Sequence, residues 1–169
     1  MTNLARPEGN TTGVTNLFAS IGGKWLQLLK EAAPKIERVG LVYNARVPPD
    51  DNAGYAYFPP IEEAAKTLAV RTSRIGYRDA VDLVHAIDEF GAQPNGGLIV
   101  VPPAPTTANR ETVRRLAIQY RMPTIYQDRE LVAEGGVLSY GSDRADGFRR
   151  AAAFVDRILR GAKVSELPV

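Results

Sequence analysis

The 169-residue sequence contains no cysteine and a single histidine, His85. The absence of cysteine excludes disulfide bonds, thiolate metal ligands and cysteine nucleophiles. One histidine alone does not supply a zinc-binding set. His85 lies on the polar flank that Asp82 and Glu89 form on an amphipathic segment, so we interpret it as a surface residue rather than a general base. We therefore predict no metal site, no cofactor and no catalytic residue.

The sequence also lacks a strong charge excess and a long apolar run. Its 21 basic and 19 acidic residues give a net charge of +2, and so small an excess does not build a nucleic-acid-binding surface. No segment approaches the roughly 20 apolar residues of a transmembrane helix. The residues after Met1 do not form the basic and then apolar segments of an export signal, so we expect any such signal to lie upstream of this chain.

The sequence does contain a regular alternation of short apolar runs and amphipathic segments. This alternation is typical of an α/β protein, in which helices flank a parallel sheet. The predicted strands lie near residues 38–43, 69–75, 98–102, 124–126 and 137–140. We place 98–101 centrally because it is the most apolar run. We place 69–75 nearer an edge because polar residues interrupt it.

Apolar periodicity predicts helices between these strands. They span residues 21–33, 60–68, 79–90, 106–120, 130–133 and 142–160. Ser20, Thr106 or Thr107, and Ser142 are candidate caps for three of them. Residues 44–60 are predicted to form a loop whose aromatic residues pack against the rest of the fold. The last helix carries an apolar stripe that includes Phe148, Val155 and Leu159.

Residues that follow the strands are the best candidates for a ligand site. In parallel sheets, ligands bind beyond the carboxyl ends of the strands. Tyrosine offers flat apolar area with a polar tip, and Asn, Gln and Thr offer uncharged hydrogen bonds. The predicted ligand-binding residues are Tyr43, Asn44, Pro102, Thr106, Thr107, Tyr126, Gln127, Tyr140 and Gly141. The alternative is that these residues only cap strands and begin helices.

Several strings of the sequence resemble one family. Residues 4–13, LARPEGNTTG, resemble the LARPGGNxTG segment of ABC-transporter substrate-binding proteins, the group that includes tryptophan/tyrosine-type receptors. Glu8 departs from the usual glycine. Further similar strings cover residues 21–26, 33–34, 94–100, 135–141, 148–152 and 155–163. The resemblance therefore extends in order over essentially the whole chain.

The resemblance implies a type I periplasmic-binding-protein-like fold, in which two α/β lobes joined by three crossovers close over a small solute without chemistry. It implies that residues 1–19 are a crossover from a first lobe, 20–135 a second lobe and 136–169 a return segment. Family members begin with a further lobe and continue past the position of Val169, so we expect a chain truncated at both ends that binds solute weakly or not at all by itself. We also expect self-association, with a second copy covering the apolar stripe of the last helix.

The resemblance further implies a membrane permease as partner and a periplasmic or membrane-associated extracytoplasmic location for the full-length protein. The aromatic residues after the strands favour an aromatic or amino-acid-like solute. Two alternatives are a small α/β enzyme using the same strand ends and a flavodoxin-like or receiver-like signalling domain. A receiver needs an acidic cluster and a phosphoacceptor Asp where this chain has Tyr43-Asn44 and Pro102-Pro103.

Overall fold

A computed structural model describes residues 10–15, 18–47, 54–102, 107–133 and 138–168. The chain divides into two compact units. The larger unit is Ala19–Gly141, and the smaller unit combines Met1–Phe18 with Ser142–Val169.

The larger unit is built on a five-stranded sheet in which every neighbouring pair is parallel. The strands are β1 (Arg38–Asn44), β2 (Arg71–Tyr77), β3 (Gly96–Val100), β4 (Thr124–Tyr126) and β5 (Leu138–Ser139). Their order is β2-β1-β3-β4-β5. The predicted parallel α/β sheet, the central position of residues 98–101 and the edge position of the second strand are therefore confirmed.

One strand begins later than the sequence predicts. β2 starts at Arg71 instead of residue 69 because the end of the preceding helix continues through a tight turn. Ala69 has a left-handed backbone with φ 52°, and the Val70 N–H donates to the Ala65 carbonyl across 3.0 Å. The apolar residues 69 and 70 thus belong to the turn that ends the helix. The apolar pattern alone does not distinguish the end of a helix from the start of a strand.

The helices lie where the periodicity predicts them, with small changes at their ends. They are α1 (Ile21–Ala32), α2 (Phe58–Thr67), α3 (Ala80–Gly91), α4 (Thr107–Gln119), α5 (Glu130–Ala133) and α6 (Arg144–Leu159). A 3₁₀ turn at Tyr55–Tyr57 leads directly into α2, so the predicted loop 44–60 ends earlier than expected.

Two predicted caps are wrong. Ser20 occupies the N-cap of α1 but has helical backbone angles, and its side chain makes no capping hydrogen bond. Asp143, rather than Ser142, caps α6, since its carboxylate accepts from the backbone N–H groups of Ala145 and Asp146. A carboxylate at this position also interacts favourably with the helix dipole. Thr106 lies outside the described residues.

The sheet is covered on both faces. Val39 and Leu41 face α1 and α2, and Val42 faces α3 and α4, as the alternation of side chains along a strand requires. The predicted core residues Leu41, Ile99 and Val100 are 0%, 0% and 3% exposed. Full burial of such a side chain contributes about 1.5–3 kcal/mol, so the burial of both faces fixes the register of the strands.

The smaller unit carries the last helix. The Thr12 hydroxyl donates to the backbone carbonyl of Leu167. The predicted apolar stripe of α6 faces solvent: Phe148 is 72%, Val155 55% and Leu159 82% exposed. No helix in the described part of the chain combines the length and the apolar character that crossing a membrane requires.

Candidate functional site

The carboxyl ends of the strands form a single edge of the sheet, here called the carboxyl edge. Parallel pairing places Asn44, Tyr126 and Ser139 at this same edge. The Val101 N–H donates to the Val42 carbonyl across 2.9 Å, and the Tyr140 N–H donates to the Tyr126 carbonyl across 2.9 Å. The described strand-end residues that the sequence singles out therefore lie along one edge of the larger unit.

The side chains at the end of β1 are engaged in local packing. The Tyr43 ring meets Tyr55 and Phe58 edge to face, with ring centroids 5.5 and 5.1 Å apart. Burial raises the pKa of Tyr43, and the neighbouring Tyr55 raises it further. The Asn44 Oδ1 accepts from the Arg46 backbone N–H at 3.0 Å. As predicted, the aromatic residues of the 44–60 segment pack against the fold.

The segment after β3 closes against the same loop. Pro102 is buried, and a Cβ placed on Gly54 would lie 2.8 Å from its carbonyl oxygen. Gly54 also has φ +92°, a left-handed conformation that glycine adopts without strain. This position therefore requires glycine both for its backbone angle and for space. Thr107 begins α4, at the carboxyl edge of the sheet.

Tyr126 is the last residue of β4 and Gln127 follows it, and the two are differently exposed. Tyr126 is only 4% exposed and packs with the α3 and α4 side of the core. Burial raises its pKa to about 12, although nearby Arg114 acts in the opposite direction. Gln127 is half-buried. The Tyr126 side chain is therefore part of the core beneath the carboxyl edge.

Tyr140 differs from the other strand-end aromatics because it is 44% exposed. No other aromatic side chain in the described part of the larger unit is exposed to this degree. Its backbone is nevertheless fixed, since the Trp25 Nε1 donates to the Tyr140 carbonyl oxygen at 2.6 Å. Gly141 follows in close contact with Gln127: an added Cβ would lie 2.3 Å from the Gln127 carbonyl oxygen.

Sequence reasoning missed the two aromatics beneath this edge. Trp25 is 1% exposed and stacks on Tyr57, with ring centroids 5.0 Å apart. The periodicity assigns Trp25 to the buried face of α1 but does not identify its partner. One feature of the sequence could have indicated the contact. A buried indole N–H needs a hydrogen-bond acceptor, and backbone carbonyls at the ends of strands can accept.

The described strand-end residues named above carry no charged side chain. Among the residues that the structure describes, no group of three or more His, Asp and Glu residues could hold a metal ion. His85 is exposed on α3. Parallel α/β sheets commonly bind ligands beyond the carboxyl ends of their strands. An exposed tyrosine with uncharged polar neighbours can stack on a flat solute and form hydrogen bonds with it.

Comparison with known proteins gives the family. The sequence model described as ABC transporter substrate binding protein matches residues 1–169. The chain therefore belongs to the ABC transporter substrate-binding protein family, and the resemblance noted in the sequence is confirmed. The family is one of substrate-binding proteins rather than of enzymes, which is what the sequence resemblance implies.

Individual relatives extend the comparison. The chain is 26% identical over 172 residues to a tyrosine-binding protein of Clostridioides difficile (strain R20291), covering 99% of this chain and 46% of that protein. A Streptococcus pneumonia ABC domain crystallised with L-Trp matches with a TM-score of 0.76 at 19% identity, covering 100% of this chain and 56% of the other. A Vibrio cholerae conserved domain protein gives 0.77 at 19% identity, with 100% and 54% covered. The chain thus spans about half the length of these relatives.

Proposed function

We propose that this chain is the solute-binding part of an ABC importer and that its carboxyl edge contacts an aromatic amino acid. The observation that carries the proposal is Tyr140, whose exposed ring stands on a backbone held from both sides. A flat ring on a fixed backbone contributes stacking area, and less entropy is lost on binding than for a ring on a mobile segment.

The chemistry of the neighbouring residues supports an amino-acid-like solute. Asn44 and Gln127 offer uncharged donors and acceptors, and the backbone groups that follow β3 and β4 lie at the same edge. A hydrogen bond formed in a closed cleft gains from the exclusion of water. The names of the tyrosine-binding relative and of the L-Trp complex support the same class of solute.

The proposed roles of the segments of the chain follow the family resemblance. Residues 20–135 act as one lobe, residues 1–19 as a crossover and 136–169 as a return segment. Solute binding favours a closed arrangement of two lobes because the solute contacts both only in that state. A membrane permease then recognises the closed form, and the full-length protein works outside the cytoplasm. Under this proposal the chain by itself binds weakly, since one lobe supplies part of the contacts.

A titration of the ¹⁵N-labelled chain with L-tryptophan tests the proposal, because NMR detects weak binding and the label removes the signals of the solute. We expect shifts concentrated at Asn44, Gln127 and Tyr140, and smaller ones with L-leucine. Tyr140→Ala should lower the affinity by about 1–3 kcal/mol, the range for losing an aromatic contact. Ile118→Ala is the control, since Ile118 is 60% exposed near the other end of α4. Shifts confined to residues away from the carboxyl edge, or none at all, would contradict the proposal.

A further inference from the structure

We infer that Trp25 is a positioning residue for the solute site: its indole N–H fixes the backbone of Tyr140 and thereby the point from which the exposed Tyr140 side chain extends. The role in binding rests on the proposed function. The hydrogen bond between Trp25 and Tyr140 is independent of that proposal, because it follows from the geometry of the two residues.

The sheet by itself holds Tyr140 only loosely. β5 consists of Leu138–Ser139, and its ladder pairs these two residues with Ile125 and Tyr126. The Tyr140 N–H adds one further hydrogen bond, to the Tyr126 carbonyl. A two-residue strand that is the outermost strand of a sheet is subject to fraying. The Tyr140 carbonyl lies beyond the described pairing of β5, and it accepts from the Trp25 indole N–H at 2.6 Å.

Trp25 is a rigid donor because the core surrounds it. It is 1% exposed and lies on the buried face of α1 with Leu26 and Leu29. Its ring stacks on Tyr57 at 5.0 Å with a 33° tilt. α1 is pressed closely against the segment that carries Tyr57, since a Cβ on Gly22 would lie 2.9 Å from the Tyr57 carbonyl oxygen. The indole N–H therefore has little freedom to seek another acceptor.

The two hydrogen bonds leave the Tyr140 backbone few conformations. Gly141 reinforces this restriction, because its closeness to Gln127 leaves room only for hydrogen. A ring presented on a fixed backbone binds more tightly than a mobile one, since less entropy is lost on binding. Trp25 thus acts through Tyr140 without touching the solute.

The test compares Trp25→Phe, which keeps most of the ring but lacks the donor, with Tyr57→Phe, which keeps the stack and the donor. Hydrogen exchange of the Tyr140 amide, the affinity for L-tryptophan and the thermal midpoint are measured on each ¹⁵N-labelled protein. The wild-type chain has one tryptophan, so its single indole N–H signal reports on the hydrogen bond directly.

We expect the wild-type indole N–H to be protected from exchange. In Trp25→Phe, Tyr140 amide exchange should be about three- to tenfold faster, and the affinity lower by a similar factor, as for the loss of one hydrogen bond. Tyr57→Phe should change neither. A purely structural role for Trp25 would lower the thermal midpoint and leave the affinity of the folded protein unchanged.

Three results would overturn the inference. An unprotected wild-type indole, or Tyr140 exchange that Trp25→Phe does not alter, would show that Trp25 does not hold Tyr140. Equal affinity of the wild type and Trp25→Phe would remove the role in binding. If Trp25→Phe loosens Tyr140 but the wild type shows no binding of L-tryptophan, the proposed function fails together with that role, and the hydrogen bond keeps a structural role only.

Discussion

The Trp25 indole N–H and the Tyr140 carbonyl oxygen lie 2.6 Å apart, although 115 positions separate the two residues in the sequence. The hydrogen bond joins the buried face of α1 to the point where the chain leaves the last strand of the sheet. It meets the need of a buried donor for a partner and places an aromatic ring at the carboxyl edge. One hydrogen bond thus connects the buried core on α1 to the candidate site.

The buried hydroxyl of Tyr126 predicts a loss of stability at high pH. Its pKa of about 12 in the folded protein exceeds the value near 10 of an unfolded chain. Below about pH 10 both states hold the proton, and between about pH 10 and 12 only the folded state does. The free energy of unfolding should therefore fall by about 1.4 kcal/mol per pH unit in that window.

Absorbance titration and denaturant unfolding at several pH values check this expectation. Among the seven tyrosines, the last phase of ionisation should belong to Tyr126, and Tyr126→Phe should remove that phase. Tyr140→Phe, at an exposed position, should leave it in place. An ordinary ionisation of all seven tyrosines would contradict the burial of Tyr126.

The hydroxyl of Tyr57 predicts a contrast between two substitutions. Tyr57 is 3% exposed, and its hydroxyl oxygen has no hydrogen-bond partner among the described residues. Tyr57→Phe should be neutral or slightly stabilising, because an unpaired buried polar group is costly. Tyr57→Ala should cost about 3–5 kcal/mol through loss of the ring. Urea unfolding measures both, and a large loss in Tyr57→Phe would reveal a partner for the hydroxyl.

Two glycines predict opposite responses to alanine. Gly141→Ala places a methyl group 2.3 Å from the Gln127 carbonyl oxygen and should destabilise the chain by about 1–3 kcal/mol, as overpacking does. Gly147 lies inside α6, and an added Cβ would lie 4.0 Å from Val14. Gly147→Ala should therefore stabilise α6 by about 0.5–1 kcal/mol. Similar thermal midpoints for the two variants would contradict the described approach of Gly141 to Gln127.

The exposed stripe of α6 predicts that the chain self-associates in solution. Phe148 and Leu159 are 72% and 82% exposed, and monomers seldom expose large contiguous apolar patches. A double variant, Phe148→Ser with Leu159→Ser, should shift the protein towards the monomer. The stripe contributes little to folding, so its thermal stability should change little.

Sedimentation velocity over a range of concentrations measures the association. Val81→Ser is the control, since Val81 is 64% exposed on α3 in the larger unit. A wild-type chain that remains monomeric at high concentration would refute the prediction.

The amino-acid sequence by itself determined the elements and the class of fold. The 98–101 run predicts a central strand because four consecutive apolar side chains can be buried only between two layers, and Leu98–Val101 are all buried. The alternation of such runs with amphipathic segments then predicts a parallel sheet flanked by helices. The candidate binding residues at the strand ends follow from the same alternation, since parallel strands end at one edge.

Tertiary structure alone decided which of those strand-end side chains face solvent and what holds them. Tyr126 and Tyr140 both follow apolar runs, yet Tyr126 is buried under α3 and α4 while the Tyr140 ring is exposed. The difference arises because Tyr140 lies one residue beyond β5, where its carbonyl meets the Trp25 indole from a distant helix. Local patterns fix periodicity and the ends of elements, whereas exposure and hydrogen-bond partners depend on contacts between segments far apart in the chain.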